Sequence, residues 1–369
     1  MADVLIIGDG PAGLAAAITL KNAGRRVTVV QRKNVSNTIR AGESLTSSAF
    51  FSLKELGVAE AFLLAGHLPC YGNSSCWGSK TLHYFDFIQS PKGQGWYIGR
   101  PKFNNMLRDK AEEIGVTFIK SSRVPGVSKN SDGTWEYLPG DNNPAVTAST
   151  IIDASGRHSW LSRNLGVQRI EGDKQIAVIS LINKNQNATI SHSLIEAVKD
   201  GWWYVAEAGD NKTVCVFFTD PGLHRRTDLL NTDYLHSKKE ETIFVKHRVP
   251  NYSGHTLLPQ LTTAGSSYLS QFSGPGWLAT GDAACSMDPL SSHGIAFALR
   301  SGIDAGRAVN DTLNGNAAAF VQYDETLHTA IKIYQKKRNG IYLEETRWPD
   351  RPYWQRRQKP DVFDRACAL

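Results

Sequence analysis

Cysteine is scarce in this chain, and what there is does not pair. Five cysteines (Cys70, Cys76, Cys215, Cys285 and Cys367) are an odd number, scattered, without a Cys-x-x-Cys, which excludes a disulfide scaffold and indicates no zinc site. Reduced, structural thiols are expected. No run approaches the roughly 18 consecutive apolar residues of a membrane span. The chain passes from Asp3 straight into an apolar strand with no basic leader, so a cytoplasmic protein that engages no membrane is expected. Charge of one sign is also missing: 41 basic against 35 acidic side chains leave +6, too little for a nucleic-acid binder, though enough to favour an acidic partner. Internal repeats and low-complexity tracts are absent. What is present is the composition of a folded protein, 41% hydrophobic and 21% charged with 9 Trp, 12 Tyr and 14 Phe. At about 150 residues per domain, 369 residues suggest two domains.

Val4-Leu5-Ile6-Ile7 has the continuous apolarity of a strand buried on both faces, and it runs directly into Gly8-Asp9-Gly10-Pro11-Ala12-Gly13. Leu14 to Ala23 is helix-prone, Gly24 ends it, and Val27-Thr28-Val29-Val30 is a second strand. Strand, glycine loop, helix and strand together form a dinucleotide cradle. Gly8 makes the tight turn, Gly10 lets backbone approach a pyrophosphate, Gly13 permits close helix packing, and the helix start behind Pro11 and Ala12 offers N–H groups to phosphate. The second strand ends in Gln31 and Arg32 instead of the usual ribose-binding acid; Gln31 can still hydrogen-bond a ribose hydroxyl.

Which dinucleotide binds is decided far downstream. Trp277-Leu278-Ala279-Thr280 is an apolar strand ending in Gly281-Asp282, an acid placed to accept a hydrogen bond from a ribitol chain. Asp288-Pro289-Leu290-Ser291-Ser292-His293-Gly294 then opens a helix through Ile295 to Gly302, whose N-terminus suits the negative charge that reduced flavin gathers on its pyrimidine side. Two further pieces are Thr150-Ile151-Ile152-Asp153-Ala154-Ser155-Gly156-Arg157 and Arg40-Ala41-Gly42-Glu43-Ser44-Leu45. All indicate FAD.

In this order these motifs resemble the flavoprotein monooxygenases of the p-hydroxybenzoate hydroxylase fold, over nearly the whole chain. Gly42-Glu43-Ser44-Leu45 is similar to the flavin-dependent halogenase branch, but the halogenases' Trp-x-Trp-x-Ile-Pro reads Trp202-Trp203-Tyr204-Val205-Ala206-Glu207 here, and Lys80 is the one candidate for their catalytic lysine. The segment Glu344 to Arg357, with Asp288 to Gly294, resembles most the LodB/GoxB-like flavoproteins that mature the cysteine tryptophylquinone cofactor of quinoprotein amino-acid oxidases. The resemblance implies FAD-dependent oxygenation of a tryptophan in a precursor protein, a glycine oxidase being the preferred member, with dioxygen consumed and the electron donor open. It implies an α/β fold in which a Rossmann-type FAD-binding domain (1–75, 96–165 and 276–310) carries an inserted antiparallel β-sheet substrate domain (76–95 and 168–275) and a helical C-terminal segment (311–369). It adds Arg40, Ser44 and Arg100 to the residues that meet the cofactor, alongside Pro289, Ser292, His293, Gly294 and Ile295.

Three residues are candidates for the chemistry. His293, at a helix start, donates to flavin or shuttles a proton, or else caps the helix; Glu43 is a base near the ring or a carboxylate stabilised by a dipole; Trp203, with Trp202 and Tyr204, lines the substrate cavity or packs as core. From Ile331 to Lys359 nine basic residues face three acids, with Trp348 and Trp354 among interleaved aromatics. That segment, Arg356 and Arg357 included, is expected to grip an acidic precursor protein, the alternative being that its tryptophans pin it to the FAD domain. Four readings stay open: an oxygenase acting on a protein-bound tryptophan leads, followed by a halogenase, a flavin-linked reductase of a lipid or small molecule, and a non-catalytic FAD-bound maturation chaperone.

Overall fold

The computed structural model describes residues 2–32, 43–87, 93–121, 126–140, 144–184, 191–209, 211–249 and 258–358. Two large sheets organise them. In the first, Ala2–Ile7 lies between Val146–Asp153 and Val27–Arg32, with Trp277–Ala279 beyond the former and Thr117–Ser121 beyond the latter, all parallel. Val4, Leu5 and Ile6 are sealed on both faces, which is why the run is continuously apolar. Register aligns Ile7 with Asp153 and Val30, and Asp153 with Ala279, so three strands finish level. The loops starting at Gly8, Ala154 and Thr280 therefore open into one crevice at the carboxyl edge, where doubly wound sheets bind ligands.

Over this edge the alanine-rich helix Pro11–Asn22 packs on Gly294–Leu313. Small residues make the contact: a Cβ on Gly302 would stand 2.3 Å from the Ala12 carbonyl oxygen, and one on Gly306 2.9 Å from Thr19 Cβ. The apolar residues of the second helix recur at Ile295, Leu299, Ile303 and Val309, a period near 3.6 that turns one face inward.

The second sheet runs Gln260–Thr263, Ile176–Asn183, Lys212–Thr219, Gly201–Gly209, His192–Val198, Gly72–Cys76 and His83–Asp86. Its pairings are antiparallel except that of His192–Val198 with Gly72–Cys76, which is parallel because the chain returns to that edge only after a long excursion. The chain enters this sheet at Gly72, ahead of residue 76. One face packs under short helices at Arg226–Leu229, Thr232–Glu240 and Val245–Arg248. Their placement is pinned by buried Glu196, whose carboxylate accepts from the N–H groups of Ile243, Phe244 and Val245 at 2.5, 2.9 and 2.9 Å. The opposite face carries Trp202, Ala206, Val216 and Phe218 and is covered by the C-terminal part of the chain.

That C-terminal part is helical, Ala319–Glu344 and Pro352–Gln358, and its basic residues divide: Lys332, Lys336, Lys337, Arg351 and Arg356 are exposed, whereas Arg338 and Arg357 are buried. Tyr353 and Trp354 are fully buried, the Arg357 side chain is 1% exposed, and Trp348 stacks on Trp354 with centroids 5.9 Å apart. Trp348, Tyr353, Trp354 and Arg357 hold the end of the segment to the second sheet, while Tyr323, Leu327, Ile331 and Tyr334 of helix 319–344 pack into the core of the FAD domain. Only Arg356 of the pair reaches solvent, and it too bonds Asp220 at 2.9 Å. The four described cysteines are free and buried, and no helix among the described residues is long and apolar enough to cross a membrane.

Candidate functional site

The glycine loop divides into packed and open positions. Gly8 sits at φ +113° with its would-be Cβ 2.3 Å from the Ala154 carbonyl oxygen, and a Cβ on Gly13 would stand 2.0 Å from the carbonyl oxygen of Gly8. Neither can carry a side chain. Gly10, by contrast, has nothing within 4 Å of its would-be Cβ. It is also the N-cap of helix 11–22, which has Pro11 at its start, no side chain bonded to its first N–H groups and no acid in its first turn. Free donors, a positive dipole end and an open approach fit a pyrophosphate. Gln31 at the strand end accepts from Arg108 at 3.4 Å, and Arg108 also pairs with Asp9. The Arg32 side chain and all of Arg40 lie outside the described residues.

Gly281-Asp282 arrives beside this loop. Gly281, at φ +59°, packs so closely on the first helix that a Cβ there would stand 2.6 Å from Ala12 Cβ. Asp282 keeps 40% of its side chain exposed and faces the Arg157 guanidinium at 3.7 Å. Arg169 donates to the carbonyl oxygens of Asp282 and Ala283, each at 2.9 Å, and to Ser286 Oγ at 2.6 Å, which fixes the turn. Burial pushes the neighbouring Cys285 thiol up to about 12, so it stays protonated and inert. Asp153 is a structural pin: its carboxylate accepts from Ser155 Oγ at 2.5 Å and from the Ser162 N–H and hydroxyl at 2.9 and 2.8 Å.

The loop Asp288–Gly294 leads into helix 294–313. Asp288 Oδ1 accepts from the Leu290 N–H at 2.9 Å, and Ser292 takes a left-handed φ of 51°. His293 is exposed at the N-cap and its ring contacts the Ser291 carbonyl, while no side chain caps the helix. Pro289, Ser292 and Gly294 thus shape an uncapped helix start, and Ile295 anchors it in the core.

Glu43 and Ser44 lie on a short strand paired with Gly95–Ile98, and Glu43 is ion-paired with Arg100 at the start of helix Arg100–Glu113. The aromatic segment joins them through Tyr204, whose hydroxyl shares a hydrogen bond with Ser44 and whose pKa is raised, chiefly by burial. Trp203 does not belong there. Strand alternation turns it to the opposite face, where it stacks on Phe217 at 4.8 Å beneath the helices of 226–248. Trp202, on the other face, is core as well, stacked on Phe218 at 3.9 Å beneath the C-terminal segment; of the three, Tyr204 alone is half-buried, on the face that Leu290 of the 288–294 loop also packs against.

The structure thus gathers Gly8 to Gly13 with Gly281-Asp282, and Glu43, Ser44 and Arg100 with Tyr204. Arg108, Arg157, Arg169 and Arg338 surround these loops and were not among the candidates. Arg157 stands inside a recognised motif, whereas the others have no local signal.

A parallel sheet that gathers glycine loops at its carboxyl edge, joined to a large sheet inserted between its strands, defines an FAD-binding α/β protein. The chain belongs to the FAD binding domain family, whose model matches residues 1–331. Within it, the chain is 31% identical to the FAD-dependent oxidoreductase LodB of Marinomonas mediterranea over 372 residues, 99% of each chain. It is also 28% identical to a 1H-pyrrole-2-carbonyl-[peptidyl-carrier protein] brominase of Pseudoalteromonas luteoviolacea, over 85% of this chain and 78% of the other. Its fold is that of the flavin-dependent halogenase CmlS (TM-score 0.85, 22% identity, 100% of this chain and 69% of the other). It is equally that of QhpG, a peptidyl tryptophan dihydroxylase essential for tryptophylquinone cofactor biogenesis (TM-score 0.80, 23% identity, 98% and 80%). FAD is the cofactor, and the protein is an FAD-dependent oxidoreductase of the LodB-like branch.

Proposed function

We propose that this protein is a monooxygenase that hydroxylates a tryptophan side chain of a precursor protein during maturation of a cysteine tryptophylquinone oxidase, a glycine oxidase being the expected product. The observation that carries the reading is the end-to-end likeness to LodB, C-terminal segment included, where the brominase is matched over less of either chain. The fold shared with QhpG supports it, because that architecture accommodates chemistry on a peptidyl tryptophan.

In this reading the open helix start at Gly10 to Gly13 holds the pyrophosphate, Gln31 the ribose and Asp282 the ribitol, while the start of helix 294–313 faces the flavin's pyrimidine edge. When bound, FAD supplies the two-electron reduction of dioxygen, one oxygen atom going to the indole and the other to water, with electrons from an external donor. The chain's own residues position and exclude. Tyr204 and Leu290, half-buried beside the 43–45 strand and in the 288–294 loop, present the apolar surface that keeps water from the reacting indole. Arg100 fixes Glu43 and Tyr204 fixes Ser44, so the 43–45 strand is held on two sides. His293, exposed at its helix start, is placed to carry a proton between solvent and the site.

The test is co-expression with oxidase precursors encoded beside the gene, followed by the intact mass of each precursor. Gain of one or two oxygen atoms on a tryptophan is expected. A mass gain that depends on bromide or chloride identifies a halogenase, flavin reduction without oxygen uptake a reductase, and a stable complex with an unmodified precursor a chaperone.

A further inference from the structure

Five charged side chains are buried where the C-terminal helices meet the second sheet. Asp288, at the head of the 288–294 loop, has a side chain with no exposure. It accepts from Arg338 Nε at 3.2 Å and from the Tyr342 hydroxyl at 2.8 Å, while its own N–H donates to the Tyr334 hydroxyl at 2.6 Å. Arg338 also binds Asp173 at 2.7 Å; Arg357 binds Asp173 at 3.2 Å and Asp220 at 2.6 Å. Gln175 ties the chain of charges to the aromatic face: its side-chain oxygen accepts from the Tyr353 hydroxyl at 2.5 Å and Trp202 Nε1 at 3.4 Å.

Hydrophobic packing alone would hold the C-terminal helices at lower cost, since buried ion pairs rarely add net stability over apolar residues. What an ion pair adds is direction. Asp288 has two jobs at once: Oδ1 sets the turn through Leu290, while Oδ2 is gripped by Arg338 and Tyr342. Six residues on, helix 294–313 begins without a side-chain cap.

We propose that Arg338 is a positioning residue for the flavin: through Asp288 it holds the 288–294 loop and the N-terminal N–H groups of helix 294–313 at the flavin's pyrimidine edge. The C-terminal segment is then a part of the cofactor site acting at one remove. Burial works against the Arg338 charge, but Asp288 and Asp173 outweigh it and raise its pKa, so the cation persists at all working pH values. The inference rests on the assignment of that helix start to flavin, and all three readouts below use the holoenzyme without precursor, so failure of the tryptophan assay leaves it standing.

The experiment compares Arg338→Met, Arg338→Lys and Arg357→Met by rate of flavin release, flavin midpoint potential and Tm. In Arg338→Met, flavin leaves about 10-fold faster or more, and the potential falls because the helix N–H groups no longer stabilise the reduced anion. Arg338→Lys, which restores a charge beside Asp288, recovers most of both. Arg357→Met lowers Tm at least as far but leaves release rate and potential unchanged, since Arg357 makes no bond to Asp288 and Arg338 keeps its own bonds to Asp173 and Asp288. Native flavin release and potential in Arg338→Met overturn the proposal, as does flavin loss in Arg357→Met in proportion to its Tm. If Arg338→Met does not fold, Asp288→Asn is read by the same criterion, because its side-chain oxygen still serves Leu290 while the charge is gone.

Discussion

The N-terminal cradle and the C-terminal clamp are both tightly built, yet by opposite means. At the cradle, side chains have been removed until backbone touches backbone, as where Gly13 meets Gly8 and Gly302 meets Ala12. At the clamp, large and charged side chains have been added until three acids and two arginines share one dry compartment. The first design tolerates no added atom, and the second no removed one. Steric exclusion acts between neighbours in a motif and leaves a spacing in the sequence. Charge compensation acts between residues 50 to 184 positions apart and leaves only composition.

The sharpest break is expected at the cradle. Gly13→Val drives side-chain atoms into the Gly8 carbonyl and should cost more than about 4 kcal/mol, giving insoluble or flavin-free protein. Gly10→Val isolates function from folding: its side chain meets open space, so the flavin-free protein should melt as wild type while FAD affinity falls by about 2 kcal/mol in a flavin titration. A Gly10→Val protein that binds FAD normally removes the pyrophosphate from that opening.

At the clamp, Arg357→Met leaves Asp220 with only the exposed Arg356 and Asp173 with only Arg338, and should lower stability by about 3 kcal/mol in urea unfolding. Adding Asp220→Leu should return part of that loss, because a buried pair replaced whole costs less than one broken. Arg356→Ala, beside it but 55% exposed, should cost less than about 1 kcal/mol. Equal losses from the two arginines would erase the distinction between buried clamp and surface.

Between these extremes stands Asp282→Ala. Loss of one hydrogen bond to the ribitol should weaken FAD by about 0.5–3 kcal/mol while Tm of the flavin-free protein stays close to wild type. Full flavin retention rules out the ribitol role.

The smallest effect is one of pH and belongs to neither region. Burial lowers the pKa of His67 and of His224, the latter also bonded to the Tyr234 hydroxyl at 2.7 Å. A histidine depressed in the fold takes up its proton more readily when unfolded, so its stabilising contribution is full above the ordinary value of 6.5 and is lost as pH falls through the depressed one. Tm should therefore decline on acidification below about 6.5, and more gently in His224→Gln.

The cradle was readable because each of its parts is local. Strand apolarity, the glycine spacing and the Gly281-Asp282 turn all state backbone requirements in adjacent residues, and level strand ends then bring them together. Alternation alone dictated that Trp202 and Tyr204 share a face opposite Trp203. Which face is the aromatic one beside Ser44 depended on where the helices of 226–248 settle, and Glu196 decides that from another strand. The clamp was misread for a stricter reason. Arg338, Arg356 and Arg357 look solvent-facing as long as counterions are sought nearby; Asp173, Asp220 and Asp288 supply them from elsewhere in the chain, while Lys332, Lys336 and Lys337 do face solvent.

The glycine contacts between helices 11–22 and 294–313 also order events during synthesis. The cradle's two halves stand about 270 residues apart in the chain, and the wall that Gly281, Gly302 and Gly306 build against Ala12 and Thr19 does not exist until residue 306 has left the ribosome. A nascent N-terminal half therefore has no closed pocket in which to retain FAD, and chains interrupted before residue 306 are expected to be colourless. Flavin capture then reports that synthesis has passed residue 306.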